Sequence, residues 1–179
     1  MNYYMDKFQR LLLVNQFEIL SKIDAENGSD YEKKIEILKG GYEHHYDDDV
    51  LDQILDPLSE EDCTFVIDVL HMYRDINYSK SKLDPSDQEK IESHNHSFLG
   101  FDYNDPKEIK LASYAEFFIK KLERFQELIE DEDFAGFNSH QTMKSTYQRY
   151  LNNYNNIKTY DNYQFGKLSA DDLNQIFAY

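Results

Sequence analysis

Apolar residues recur along this chain at spacings of three and four, which places side chains on one face of an α-helix. The most apolar such segment follows Ser59, which can cap a helix together with Asp62. Two apolar rows run along this segment and leave one narrow polar stripe, formed by Thr64, Asp68, His71 and Asp75. Because a helix that is apolar over most of its circumference packs against several neighbours, the pattern predicts a central buried helix at about residues 59–77.

Shorter segments with the same helical period flank the central one. They predict further helices at about residues 6–23, 29–40, 50–55, 86–89, 105–129, 143–154 and 169–177. No segment shows the alternation of apolar and polar residues, rich in β-branched side chains, that is typical of a strand. We therefore expect an all-α protein, a single compact domain over residues 1–179 with seven to eight helices around the central helix.

Composition supports an ordered globular chain and restricts where it works. The 179 residues are 40% hydrophobic and 15% aromatic, which suffices for a sizeable core. Cys63 is the only cysteine, so no intrachain disulfide can form and a reducing compartment is expected. No apolar run reaches the roughly 20 residues that span a bilayer, and the first residues lack the features of a signal peptide. We expect a soluble, cytoplasmic protein that does not associate with membranes.

The charge balance argues against one class of partner. The chain has 35 Asp and Glu against 19 Lys and Arg, a net charge of −16. A surface of this sign repels phosphate backbones. Nucleic-acid binding over a broad surface is therefore not expected, although a local basic pocket stays open as an alternative.

Metal and cofactor chemistry finds little support in the sequence. None of the six histidines has another histidine four residues away, the pair that binds zinc on a helix. The run Asp47, Asp48 and Asp49 resembles part of a calcium loop but lacks its glycine and its closing glutamate. Cys63 falls on an apolar row and is interpreted as a buried side chain. We expect no metal and no cofactor.

Two groups of polar residues are candidates for a functional site. Asp68 and His71 share a helix face with Asp75, and a buried acid–histidine pair could transfer protons. A polar stripe with purely structural hydrogen bonds is the alternative. Tyr147 and Arg149 lie on a tyrosine-rich helix, and these residue types are enriched at binding hot spots. Ordinary core packing is the alternative for this second group.

Several segments, taken together and in order, resemble one known family, the YfbU family. They are QRLLLVNQ at 9–16, GGY at 40–42, CTFVIDVLHMY at 63–73, FLGFD at 98–102, GFNSHQTM at 136–143, YQRYL at 147–151 and LSADDLNQI at 168–176. The resemblance extends over nearly the whole chain. It implies a helical, oligomeric, cytoplasmic bacterial protein, and because the family has no established biochemical activity it supplies no catalytic residues.

One feature of that family bears on catalysis. Some members resemble HEPN ribonucleases, which are also all-helical, in having an Arg-x5-His arrangement in the segment that matches Arg149. Here the corresponding position is Asn155, and no histidine follows His140. The imidazole that would act as a general acid or base is therefore missing from this segment.

The leading hypothesis is a self-associating helical protein that acts through protein–protein contact, in a regulatory role and without catalysis of its own. A second hypothesis is a helical hydrolase or HEPN-like ribonuclease with a degenerate site, using Arg149, His140 and Asp102. A third is a small-molecule sensor with a pocket between helices. The candidate pocket or interaction residues are Asp68, His71, Asp102, Asn138, Tyr147 and Arg149.

Overall fold

The computed structural model describes residues 4–91, 97–130 and 134–178. Within these three ranges all regular elements are helical, and a single isolated bridge is the only β-type pairing. The prediction of an all-α fold is confirmed. The chain divides into two compact units, Met1–Pro57 and Leu58–Tyr179, and the prediction that they form one domain stays a prediction.

The first unit is built on a pair of helices joined by a short turn. Helix α1 spans Lys7–Ile23, and helix α2 spans Gly28–Gly40 and packs against it. A capping box begins α1, since the backbone N–H of Gln9 donates to the Asp6 carboxylate at 2.8 Å and the Asp6 N–H donates back. The core of this unit consists of Val14, Ile37, Leu38, Tyr46 and Val50.

The chain after α2 departs from the predicted pattern. A 3₁₀ turn at Glu43–His45 leads into a π-helical turn at Tyr46–Val50. The helix predicted at 50–55 is absent, and that prediction was wrong. Ile54 and Leu55 are exposed, so the segment after Val50 has no buried face that would stabilise a short helix.

Helix α3, at Glu60–Lys80, is the central helix of the second unit. The Ser59 hydroxyl accepts from the Asp62 N–H at 3.0 Å, which begins the helix where the sequence predicts. Six of its apolar side chains are at most 1% exposed: Val66, Val69, Leu70, Met72, Tyr73 and Ile76. The prediction of a buried helix at about 59–77 is confirmed.

The remaining helices of the second unit surround or extend this centre. They are α4 at Pro85–Gln88, α5 at Glu108–Glu116, α6 at Lys144–Lys158 and α7 at Ala170–Phe177. Both α5 and α6 pack on α3, and α7 packs on α6. The end of α7 brings Phe177 against the ring of Tyr150 on α6.

The long helix predicted at 105–129 is broken into pieces. After α5 the chain forms a π-helical turn at Phe117–Lys121, and Glu123 and Phe125 then adopt left-handed backbone conformations before a 3₁₀ turn at Gln126–Leu128. Phe125 and Leu128 keep the apolar spacing because they are buried, but the helix has ended before them. Hydrophobic period alone does not distinguish these two arrangements.

Two short segments with a glycine between aromatic residues meet in the second unit. The N–H of Phe101 donates to the Phe137 carbonyl at 2.9 Å, and the N–H of Ser139 donates to the Phe101 carbonyl at 3.1 Å. This is the isolated bridge between Phe101 and Asn138. Phe98 and Phe101 are buried, so the first segment is a buried connection.

Candidate functional site

A buried carboxylate on α3 holds the segment that precedes α7. Asp75 accepts hydrogen bonds from the hydroxyls of Tyr154 at 2.9 Å and Tyr163 at 2.8 Å, and from the Gly166 N–H at 2.5 Å. Burial raises the pKa of both phenols, and the Asp75 carboxylate adds to the rise. Because the oxygens of Asp75 are occupied by these donors, the carboxylate acts as a structural anchor.

A second buried carboxylate, Glu108 of α5, caps another helix. It accepts from the N–H groups of Met143 at 2.8 Å and Lys144 at 2.6 Å, which are orphan donors at the start of α6. It also accepts from the Asp102 N–H at 3.1 Å. Glu108 therefore joins α5, α6 and the bridge, and its role is structural.

The polar stripe predicted on α3 is divided between core and surface. Asp75 is fully buried among tyrosines, whereas Asp68 and His71 are exposed. His71 packs edge-on against the ring of Phe125, at a centroid distance of 4.9 Å. Although His71 is exposed overall, partial desolvation of its imidazole lowers the pKa of His71, and the nearby Arg74 guanidinium lowers it further. The sequence left proton transfer and structural hydrogen bonding as alternatives for Asp75. The contacts of Asp75 are structural hydrogen bonds.

Asp102 and Asn138 lie together at the bridge, and both side chains bond to local backbone. Asp102 Oδ1 accepts from the Asn104 N–H at 2.9 Å. Asn138 Oδ1 accepts from the N–H groups of Tyr103 at 3.2 Å and His140 at 3.1 Å. These bonds stabilise turns.

Tyr147 is a core residue rather than a surface one. It is fully buried, its hydroxyl accepts from the Leu99 N–H at 3.1 Å, and burial raises the pKa of its phenol. Its ring contacts those of Tyr73, Phe98 and Phe101. Core packing, the alternative given for Tyr147 from the sequence, is what these contacts show.

Arg149 lies on α6 beside the aromatic cluster. Its guanidinium carbon is 5.3 Å from the ring centre of Tyr150. Asn155, which stands where some relatives resemble the HEPN histidine, lies two turns further along α6 and lines a separate hollow. The amide of Asn155 does not take up or release a proton near neutral pH, so it cannot replace an imidazole.

That hollow, of about 480 Å³, lies between the start of α3 and α6 and is acidic. Lys144 Nζ is 2.6 Å from Asp62 Oδ1 and holds the pKa of that carboxyl below its usual value. The lining includes Glu60, Glu61, Asp62, Asp68, Lys144, Gln148 and Asn155. Its surplus of carboxylates repels anionic ligands.

A second hollow, of about 390 Å³, is found further along α3, beside Arg74 and His71. Arg74 forms an ion pair with Glu127, and its guanidinium carbon lies 3.8 Å from the ring centre of Phe125. Sequence reasoning missed Arg74. The signal was present, because Arg74 is the only Lys or Arg of α3 before its last residue.

Helix α1 of the first unit carries an exposed apolar face. Five large apolar side chains on it are 47–75% exposed: Phe8, Leu11, Leu12, Ile19 and Ile23. At 100° per residue they lie within about a third of the helix circumference. The opposite side of the helix packs on α2, where Val14 is buried. We refer to the five exposed residues as the α1 face.

Comparison with known proteins decides the family. The profile of the YfbU domain matches residues 3–178. The chain belongs to the YfbU family. A UPF0304 protein of Methanocaldococcus jannaschii is 34% identical over 146 residues, which cover 81% of this chain and 84% of the relative. The resemblance seen in the sequence is confirmed, and neither the YfbU name nor the relative's name states an activity.

Membrane spans and metal clusters are both absent from the described residues of this YfbU-family chain. None of their helices combines the length and the apolar character needed to cross a bilayer. Across the same ranges, no three His, Cys, Asp or Glu side chains are grouped so that they could hold a metal ion. The features that remain to be explained are the α1 face and the hollow at Arg74.

Proposed function

We propose that this YfbU-family chain is a self-associating protein in which two copies pair through the α1 face. The observation that carries the proposal is the exposure of Phe8, Leu11, Leu12, Ile19 and Ile23 on one side of one helix. Single exposed apolar residues are normal on a protein surface, but a contiguous group marks an interaction site. A cytoplasmic location and a regulatory role belong to the same proposal.

The spacing of the α1 face suits a second copy of the same chain. Leu11 lies four residues before Asn15, and Ile19 lies four residues after it. In an antiparallel pair of α1 helices centred on Asn15, Leu11 of each copy would face Ile19 of the other. A two-fold interface requires this self-complementary arrangement, in which every contact occurs twice.

Asn15 at the centre of the face supports the same pairing. A side-chain amide has both donors and an acceptor, so two Asn15 amides facing each other across a two-fold axis can satisfy one another. A single asparagine within an apolar helical seam also selects one register, because any other register leaves the amide without a partner.

The charge of α1 permits close approach of two acidic chains. The whole chain has a net charge of −16, so most of its surface repels a second copy. Helix α1 instead contains three cationic residues, Lys7, Arg10 and Lys22, against one acidic residue, Glu18. The electrostatic repulsion between two copies is therefore reduced at α1.

Two charge substitutions test the proposal. Leu11→Glu and Ile19→Glu each place a carboxylate in the centre of the predicted seam, and both should shift the protein towards the monomer in size-exclusion chromatography with light scattering. Ile109→Glu is the matched control, because Ile109 is an apolar residue of α5 that is 42% exposed and lies outside the α1 face. Circular dichroism checks that all three variants are folded. If the α1 variants keep the mass of the wild type, the proposal is wrong.

A further inference from the structure

The hollow beside Arg74 has the size of a small-molecule site. Its volume of about 390 Å³ lies within the range usual for ligand pockets. Ile67, His71 and Arg74 form one wall, since positions i, i+4 and i+7 of α3 share a face. Phe118 and the segment 123–127 form the other wall.

Arg74 is held in a fixed orientation at this hollow. Its guanidinium lies over the ring of Phe125, at 3.8 Å from the ring centre, and its Nε donates to the Glu127 carboxylate. Among the described residues, no acceptor engages its two terminal nitrogens. A guanidinium held in this way presents parallel N–H groups that match the two oxygens of a carboxylate.

The wall opposite α3 is held in an unfavourable backbone conformation. Glu123 and Phe125 have φ values of 52° and 57°, in the left-handed region that non-glycine residues adopt at an energetic cost. The conformation places the Phe125 ring against both His71 and Arg74, and the Gln126 side-chain amide then donates to the Ile119 carbonyl at 2.6 Å. Such strain concentrates at ligand sites, where it fixes the binding groups in advance.

We infer that this hollow binds a small organic carboxylate. The carboxylate oxygens accept from the terminal nitrogens of Arg74, and the apolar body of the ligand packs against Ile67 and Phe118. Arg124, which also lines the hollow, supplies a second cation. This site is independent of the α1 face.

The charges around the hollow favour a monoanion with an apolar body. Glu123 and Glu127 lie in the same lining as Arg74 and Arg124, so an added dianion such as phosphate meets two carboxylates at close range. The two arginines and the two glutamates of the lining balance each other, so a monoanion adds one uncompensated negative charge where a dianion adds two. The aromatic and aliphatic wall gives the body of the monoanion an apolar contact.

Benzoate is a suitable probe, and benzamide is its neutral counterpart of nearly the same shape. In isothermal titration calorimetry and in NMR spectra that resolve the arginine Nε–H signals, we expect saturable benzoate binding with a dissociation constant on the order of 1 mM. Benzamide and inorganic phosphate should bind at least tenfold more weakly. The Arg74 Nε–H signal should shift with benzoate.

Three variants test whether Arg74 is the group that binds the carboxylate. Arg74→Met should weaken benzoate binding at least tenfold, and Glu127→Gln should strengthen it because a competing carboxylate is removed. Lys90→Gln is the control, since Lys90 is a cation that does not line the hollow, and it should leave binding unchanged. If Arg74→Met does not fold, Arg74→Lys keeps the charge without the parallel donors and should still bind more weakly.

Several outcomes would overturn the inference. Equal binding of benzamide would show an apolar pocket without carboxylate recognition, and equal binding of phosphate would show a general anion site. Unchanged benzoate affinity in folded Arg74 variants would place the carboxylate elsewhere.

Discussion

Gly100 lies so close to Phe137 that a β-carbon at position 100 would fall 2.0 Å from the Phe137 carbonyl oxygen. Gly100 also has a φ of 77°, which side chains other than glycine rarely adopt. This close approach lies next to the bridge between Phe101 and Asn138. The glycine is thus required twice, for its backbone conformation and for its lack of a side chain.

Gly100→Ala should therefore lower the free energy of unfolding by about 3 kcal/mol or more, measured by denaturant titration. Gly28→Ala is the matched control, because nothing lies within 4 Å of its β-carbon position and the residue is in the first turn of α2. The control should be neutral or slightly stabilising. A Gly100→Ala protein as stable as the control would contradict the described bridge.

Glu108→Gln tests the cap of α6. The substitution keeps the shape of the side chain but replaces a charged acceptor of three backbone N–H groups by an amide with one acceptor oxygen, so we expect a loss of about 2 kcal/mol in unfolding free energy. Glu116→Gln, on the exposed side of the same helix, should change stability by less than about 0.5 kcal/mol. Equal effects of the two substitutions would show that Glu108 does not act as the cap.

The raised pKa values of Tyr154 and Tyr163 predict that the protein loses stability in alkaline solution. Their pKa values are raised in the folded protein, first by burial and then with the help of Asp75, above the ordinary value of 10.0. The folded state therefore holds these protons more tightly than the unfolded state. Their contribution is complete below pH 10 and is lost as the pH rises above it.

The corresponding measurement is the unfolding free energy between neutral pH and about pH 11. Tyr154→Phe should be less stable at neutral pH by about 1 kcal/mol, and its stability should fall less steeply above pH 10 than that of the wild type. Tyr160→Phe is the control, because Tyr160 is half exposed, and it should follow the wild-type curve. A Tyr154→Phe curve parallel to the wild type would count against the Asp75 network.

His71 reports on the charge of Arg74. The pKa of His71 is lowered first by burial and then by Arg74, while Asp68 opposes the effect. Removing the guanidinium in Arg74→Met should raise the pKa of His71, as followed by NMR of its ring protons. Lys158→Met should produce a smaller rise, since Lys158 has the smaller influence. A fall in the pKa of His71 in Arg74→Met would mean that the two side chains are not neighbours.

Local signals in the sequence predict local structure well in this chain. The start of α3 follows from Ser59 and Asp62, and its burial follows from the two apolar rows. The structural role of Asp75 as a hydrogen-bond acceptor for two tyrosines could not be predicted in the same way. Its tyrosine partners are 79 and 88 residues away, and only the folded chain brings them together.

The candidate sites depended even more on tertiary structure. An apolar row shows which side of α1 is hydrophobic, but it does not show that Leu11 and Ile19 are exposed. The end of the helix before Phe125 was not predicted, because Phe125 and Leu128 keep a helical apolar spacing. Residues 123–127, where the backbone is left-handed at two positions, line the hollow at Arg74, so helical spacing in the sequence did not predict it.

The central claim is self-association, and the mass of the native protein tests it most directly. Native mass spectrometry of the wild-type chain, of 21.4 kDa, should show a dimer or a higher even-numbered assembly, and Ile19→Glu should shift the population to the single-chain mass. A wild-type protein that stays at the single-chain mass at concentrations well above the micromolar range would contradict the account.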